Sequence, residues 1–286
     1  MQINIKQRLD AIINNIDQLP SIPEVASKII NMVNDPSVSF KQVAELISKD
    51  QAMTANILKL SNSAYFSKGK EISSIDRALV TLGLKEVKNI VMVVAAKPVL
   101  DKAIIGYDLE KGVLWNHGLL VANIANAIAL LKKRKDVADV VFTGGIIHNV
   151  GKVVVALYIK TVYKEILDYV QSKGVPFSIA EKEVMGYNHQ EIGEKILVKW
   201  QFPPVLQSIV RFYAQPDQAP AQFRFEVSTV HIANLLALMA GIGVGSDGLY
   251  HEFNRVALET VGLTEAEINE IYSKIPEMMK QLKELQ

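Results

Sequence analysis

An all-α fold is the prediction from this sequence, and three observations make it. Apolar residues recur at helical spacing in nearly every stretch, as Leu9, Ile12, Ile13 and Ile16 do at i, i+3, i+4 and i+7. Pro, Gly, Ser and Asn fall between those stretches, where helices start and stop. No run alternates at period two for long enough to require a sheet. Val153-Val154-Val155 is β-prone by itself, but burial within a helix overrides that propensity.

Taken in order, Pro20 and Pro23 separate the first stripe from a second made by Val25, Ile29, Ile30 and Val33. Asn34-Asp35-Pro36 ends that one, and Ser39 is placed to cap a helix carrying Val43, Leu46 and Ile47. Helices are expected over Ala52–Ser61, from Ser73-Ser74 to Gly83, and over Lys85–Lys97. Pro98 and Gly106 then punctuate the pattern, giving an expected boundary between 1–105 and 106–286. Beyond it, helices are expected over about 109–132, 138–149, 153–173, 179–200, 205–213, 227–240 and 265–286.

Composition narrows the function. The 286 residues are 49% hydrophobic, enough for a substantial core. Lys plus Arg number 31 against 30 Asp plus Glu, so there is no broad positive field to gather nucleic acid or an anionic membrane. The basic run Lys132-Lys133-Arg134-Lys135 reads as a solvated helix end. With no cysteine, disulfide frameworks and thiolate metal sites are excluded. Val227–Gly245 and Ile90–Leu100 are apolar but interrupted, and a spanning helix needs ~20 apolar residues, so both read as core helices. The first residues lack the pattern of a signal peptide. A cytoplasmic location is expected.

One polar island stands out: Gly144-Gly145-Ile146-Ile147-His148-Asn149-Val150-Gly151-Lys152, flanked by Val140, Val141, Phe142 and Val153-Val154-Val155. Burying a His–Asn pair costs free energy unless both are hydrogen-bonded or coordinated. The island resembles the His-Asp signature of HD-superfamily phosphohydrolases, with Asn149 in place of the Asp. Further motifs lie in the same order along the chain: Leu19-Pro20-Ser21-Ile22-Pro23, Ile47-Ser48-Lys49-Asp50, Leu58-Lys59-Leu60-Ser61-Asn62-Ser63-Ala64-Tyr65-Phe66, Ala78-Leu79-Val80-Thr81-Leu82-Gly83, Trp115-Asn116-His117, Gly186-Tyr187-Asn188-His189 with Gly193, and Trp200-Gln201-Phe202-Pro203. Together they resemble the HDOD family over essentially the whole length.

That resemblance implies an N-terminal helical subdomain packed on a C-terminal HD-like helical bundle, acting as a signalling module without established catalysis. Carried over by position, the first metal-binding His is His117, the pair is His148-Asn149 and the distal Asp is Asn234. His189 lies where the related HD-GYP phosphodiesterases add a histidine, whereas their later His pair maps to Phe212-Tyr213. Such a site would hold Fe, Mn, Zn or Mg, but two anionic ligands have become amides, which bind cations far more weakly. No cofactor is therefore required. Lys152 is retained, and its amine is placed to bind an anion.

Other residues have plainer readings. His231 shares a helix face with Asn234 and reads as packing, and His251 as surface. Asn62, Ser63 and Tyr65 follow a helix, where Asn and Ser cap and turn the chain, or contact a partner or ligand. Phe212, Tyr213, Phe223 and Phe225 fold over the core or form an interaction surface. No receiver, kinase or cyclase segment is recognisable, so the expected partner is a signalling protein engaged in trans, with a small molecule or nucleotide as ligand and neither nucleic acid nor membrane bound. The rival reading is a metal-dependent phosphohydrolase acting on a nucleotide or cyclic dinucleotide.

Overall fold

The computed structural model describes residues 7, 9–11, 19–33, 35, 37–67, 71–245, 247 and 254–283, with the side chains of 64, 65 and 281–283 left aside. Among the described residues the fold is all α, without a strand; Ile104 and Leu109 make an isolated antiparallel bridge. The first half contributes α1 (Glu24–Met32), α2 (Phe40–Ser48), α3 (Gln51–Ser61), the single turn α4 (Ala64–Ser67), α5 (Ile75–Leu82) and α6 (Leu84–Leu100). The second contributes α7 (Val113–Leu131), α8 (Ala138–Ile147), α9 (Lys152–Lys173), α10 (Phe177–Met185), α11 (His189–Lys199), α12 (Pro204–Phe212), α13 (Arg224–Met239), α14 (Arg255–Val261), α15 (Glu265–Ser273) and α16 (Ile275–Lys283).

Local chemistry sets many of these ends. Ser39 opens α2 with a capping box, its hydroxyl accepting from Gln42 N while Gln42 accepts from Ser39 N. Ser74 caps α5 by accepting from Arg77 N, and Gly83 closes it at φ +87°.

Three segments differ from the sequence expectation. The helix expected to stop at Lys97 runs on to Leu100 through Pro98, which has no N–H to donate to Val94 O and so costs the last turn one ladder bond without ending it. The helix expected over 179–200 is two helices: Gly186 ends α10 at φ +84°, and Asn188 starts α11 with a capping box closed by Glu191. The one expected over 265–286 breaks after Ser273, since Pro276 has no N–H to donate to Tyr272 O and is tolerated in the first turn of a new helix; 284–286 lie outside the described residues.

The core centres on α7, which packs against α8, α13 and α16. Backbones approach closely where α7 and α8 cross, with Gly145 facing the main chain of Ala122. In the first half, α6 packs on α1, α3 and α5 and also reaches α8. Phe66 joins the halves by standing edge-on to Phe142, with ring centroids 5.4 Å apart. The segment before α1 joins them again. Trp200 Nε1 donates to Pro20 O (2.8 Å), Lys199 Nζ to Leu19 O (2.7 Å) and Tyr187 OH to Asp10 Oδ1 (2.6 Å). The motif around Leu19-Pro20 and the one starting at Trp200 are thus a single contact.

By length and composition, Val113–Leu131 and the run Ala138–Lys173 would each suffice to cross a membrane. Their most apolar windows are 72% and 78% buried inside the fold, as core helices are. Two of the four residues of the basic run after α7 are engaged locally, Lys132 on Glu267 (2.8 Å) and Arg134 on Asp136 (2.8 Å) and over the Phe225 ring (4.5 Å).

Candidate functional site: a hydrogen-bonded histidine cluster

His117 projects from α7, His148 and Asn149 from the turn between α8 and α9, His189 from the first position of α11, and Asn234 from α13. Each is at least nine-tenths buried. The structure brings His117, His148, Asn149 and Asn234 into direct contact, and His189 joins them through Tyr213.

His117 Nδ1 lies 2.9 Å from Ile242 O, and His148 Nδ1 lies 2.7 Å from Gly145 O. Carbonyls only accept, so both Nδ1 atoms carry the proton and donate. Burial pushes the pKa of His117 down to about 4 and that of His148 well below the usual value, with the Lys152 charge adding to both shifts. Near pH 7 each ring is therefore neutral and its Nε2 is a lone pair. Asn149 Nδ2 donates to His148 Nε2 at 2.8 Å.

Asn234 Oδ1 lies 2.9 Å from His117 Nε2 and 3.2 Å from His148 Nε2. An oxygen there would need a second proton on His117. Rotation of the amide by half a turn puts Nδ2 in the same place, where it donates to the His117 lone pair and approaches, at 3.2 Å, that of His148, which already accepts from Asn149. With neutral rings, the nitrogen is the end that faces the histidines.

The chain of bonds continues outward. Tyr213 OH donates to Asn149 Oδ1 (2.8 Å) and lies 2.7 Å from His189 Nε2. Glu181 Oε2 accepts from His189 Nδ1 (2.7 Å) and His189 N (3.0 Å), and Tyr107 OH donates to Glu181 Oε1. Desolvation first, then the neighbouring carboxylates, push both tyrosines well above their usual range, so they stay protonated donors. Lys152 Nζ lies 2.6 Å from Asp247 Oδ2, both side chains being nearly inaccessible.

A divalent ion does not fit this donor set. The two Nε2 atoms converge, but the end of the Asn234 amide fills the point between them. Glu181 is taken by His189 and Tyr107, and Asp247 by Lys152. Among the described residues no three His, Asp or Glu side chains are grouped to hold a metal ion.

The remaining candidates lie elsewhere. Asn62 staples its loop, its Nδ2 donating to Ile72 O (2.7 Å) and Leu58 O (2.9 Å) and its Oδ1 accepting from Ile72 N (2.8 Å). Ser63 is buried with its hydroxyl unpartnered, and the Tyr65 side chain and His251 fall outside the described residues. His231 lies 2.8 Å from Tyr213 O through Nδ1 and accepts from Asn254 N through Nε2 (3.0 Å), a packing role.

Sequence reasoning missed Tyr107, Glu181 and Asp247 and gave Tyr213 no polar role. For Glu181 a signal exists: Phe177, Glu181 and Met185 share one helix face at i, i+4 spacing, and all three are buried. The charge is held by His189.

If Tyr213 OH links the two halves of the network, Tyr213→Phe should lose about 1–3 kcal/mol, because Asn149 Oδ1 and His189 Nε2 are left buried without it. Urea unfolding measures this. A midpoint equal to that of the parent would mean that the hydroxyl is not a link.

With this geometry in hand, comparison with known proteins is direct. The family model described as HDOD domain matches residues 19–216. The chain belongs to the HDOD family. An HDOD domain protein of unknown function from Geobacter sulfurreducens has the same fold, with TM-score 0.75 and 23% identity over 99% of this chain and 97% of that one. A candidate phosphohydrolase from Shewanella amazonensis SB2B superposes with TM-score 0.71 at 25% identity, covering 96% and 98%. An uncharacterized protein of Treponema pallidum (strain Nichols) is 27% identical over 227 residues, 79% of this chain and 43% of its own. The chain thus spans less than half the length of that curated relative.

Proposed function

We propose that this chain is a non-hydrolytic signalling module that acts in the cytoplasm by contacting another protein in trans, its HD-type pocket serving structure and ligand binding. The observation that carries this reading is the Asn234 amide seated between His117 Nε2 and His148 Nε2. Hydrolysis in the HD manner needs a divalent ion to activate water, and the ion's anionic ligands set its affinity. Here both of those positions are amides, and the nearest carboxylates are bonded to other groups. Near-zero net charge and a short basic run, half of it engaged by its own neighbours, speak against nucleic acid as the partner.

The rival reading, a metal-dependent phosphohydrolase, draws on the likeness to the Shewanella protein. One experiment separates the two. Metal content is measured on the purified chain, and nucleotides and cyclic dinucleotides are then assayed with Mn, Fe and Mg. No turnover above the metal-only blank is expected. Turnover that disappears in His148→Ala would overturn the proposal.

A further inference from the structure

We infer that Lys152 anchors a binding site for the carboxylate of a small organic acid, and that Asp247 of the same chain occupies this site in the unliganded protein. The inference rests on the reading above, that the pocket binds rather than hydrolyses. Its starting point is an asymmetry in the buried ion pair. Lys152 is the first residue of α9 and is fixed by the helix. Asp247 lies in a turn beyond the end of α13; residues 241–245 between them are outside any helix and fold back across His117. There Ile242 O accepts from His117, and Gly243, at φ +74°, lies so near the ring that a Cβ would come within 2.4 Å of it. The cation is therefore part of the scaffold, and the anion is delivered to it by a connecting segment.

The approach is also present. Asp247 lines a cavity of about 680 Å³, whose wall includes Phe177, His189, Gln190, Tyr213 and Asn234. That volume suits a small organic molecule. Among the described lining residues the one Lys or Arg is Arg255, its side chain 91% exposed and held by Glu259; Lys152 does not line the cavity but is bonded to Asp247, which does. An anion entering the cavity thus finds its buried cation behind Asp247.

The chemistry favours a carboxylate over a phosphate. Lys152 already holds one carboxylate oxygen at 2.6 Å, and its ammonium lies 5.1 Å from the Tyr107 ring centroid. Tyr107 in turn donates to the Glu181 carboxylate. A phosphate dianion would meet one ammonium and a nearby negative charge, whereas a monoanion matches the single cation that is there.

Because Asp247 is tethered, it competes at an effective concentration of millimolar or more, and a free acid gains the site only as it displaces this occupant. Wild-type protein should therefore respond to acids at concentrations at least about tenfold higher than a variant without the internal carboxylate.

Asp247→Ala removes one carboxylate group, and formate is that group as a free ion. Melting temperatures are read in EDTA for wild type, Asp247→Ala and the double variant Lys152→Met/Asp247→Ala. Sodium formate, acetate and phosphate are compared with sodium chloride at matched ionic strength. The single variant should melt below wild type in chloride and recover with formate or acetate. The double variant, which buries no unpaired ammonium, should show no such recovery. If the single variant folds only when refolded with formate, that also supports the site. Failure to fold with either salt while the double variant folds, a formate response no larger than that to chloride, or phosphate restoring as much as formate would each overturn it. These outcomes leave the hydrolase question untouched, since that is read by turnover with added metal.

Discussion

Gly151→Ala is expected to destabilise the protein by about 3 kcal/mol or more, or to prevent folding altogether. A Cβ on Gly151 would lie 1.8 Å from His189 O, 2.8 Å from His189 C and 2.7 Å from Gly193 N. All three are backbone atoms of α11, so no side chain can rotate out of the way. Either α11 moves off α9 or the turn holding His148 and Asn149 is rebuilt. In both cases the Tyr213 link between Asn149 and His189 is stretched, so lost packing and lost hydrogen bonds add. A loss of this size should lower the melting temperature by roughly 6–12 °C. A melting temperature within a degree or two of the parent would show that the two backbones are not in contact. Gly151, two residues after Asn149, is thus a packing requirement, which leaves α11 close enough for His189 to reach the cluster.

How much of this could be read from the sequence depends on the kind of signal each part leaves. Helices with an apolar stripe and a capping residue, such as α2 behind Ser39 and α5 behind Ser74, are written in local chemistry and lie where the pattern puts them. The breaks at Gly186-Tyr187-Asn188 and before Pro276 leave no mark in the apolar pattern, whose spacing continues across them. Gly186 at positive φ and the Asn188–Glu191 capping box are nevertheless local signals that outweigh it. Motif order, not periodicity, singled out the positions of His117, His148, Asn149, His189 and Asn234. Their partners were less visible. Tyr107 follows a glycine against α9 and has no pattern of its own, and Asp247 lies in a glycine-rich connection where a carboxylate normally faces water. Only the folded chain reveals that each answers a buried charge: Asp247 that of Lys152, and Tyr107 that of Glu181. The direction of the Asn234 amide was likewise invisible, since it follows from two imidazole lone pairs meeting at one point.

Restoring carboxylates at both amide positions, Asn149→Asp with Asn234→Asp, should produce the largest change in metal response. In chelator the double variant should be less stable than the parent by about 3–5 kcal/mol. Asn149 Nδ2 now donates to His148 Nε2, and a carboxylate oxygen in its place would set lone pair against lone pair 2.8 Å apart. The Asn234 position repeats this conflict toward two imidazoles at once. Protonating the rings would relieve it, but burial and the Lys152 charge hold His117 down at about 4 and His148 low as well, so the proton is costly at neutral pH. Two buried carboxylates also repel each other and drive their own pKa values up. Added Mn changes the balance. Two neutral imidazole nitrogens and two carboxylates converging on one point make a donor set with a charge of −2, and binding to the folded state alone stabilises it by mass action, about 2.7 kcal/mol at a hundred times Kd. The variant should therefore melt below the parent in EDTA and rise with Mn, while the parent is indifferent to both. Equal melting temperatures with and without Mn in both proteins would mean that residues 149 and 234 do not share a site with His117 and His148. A parent that itself rises with Mn would mean that the Asn234 amide gives way to the ion, and the structural reading of the cluster would fall.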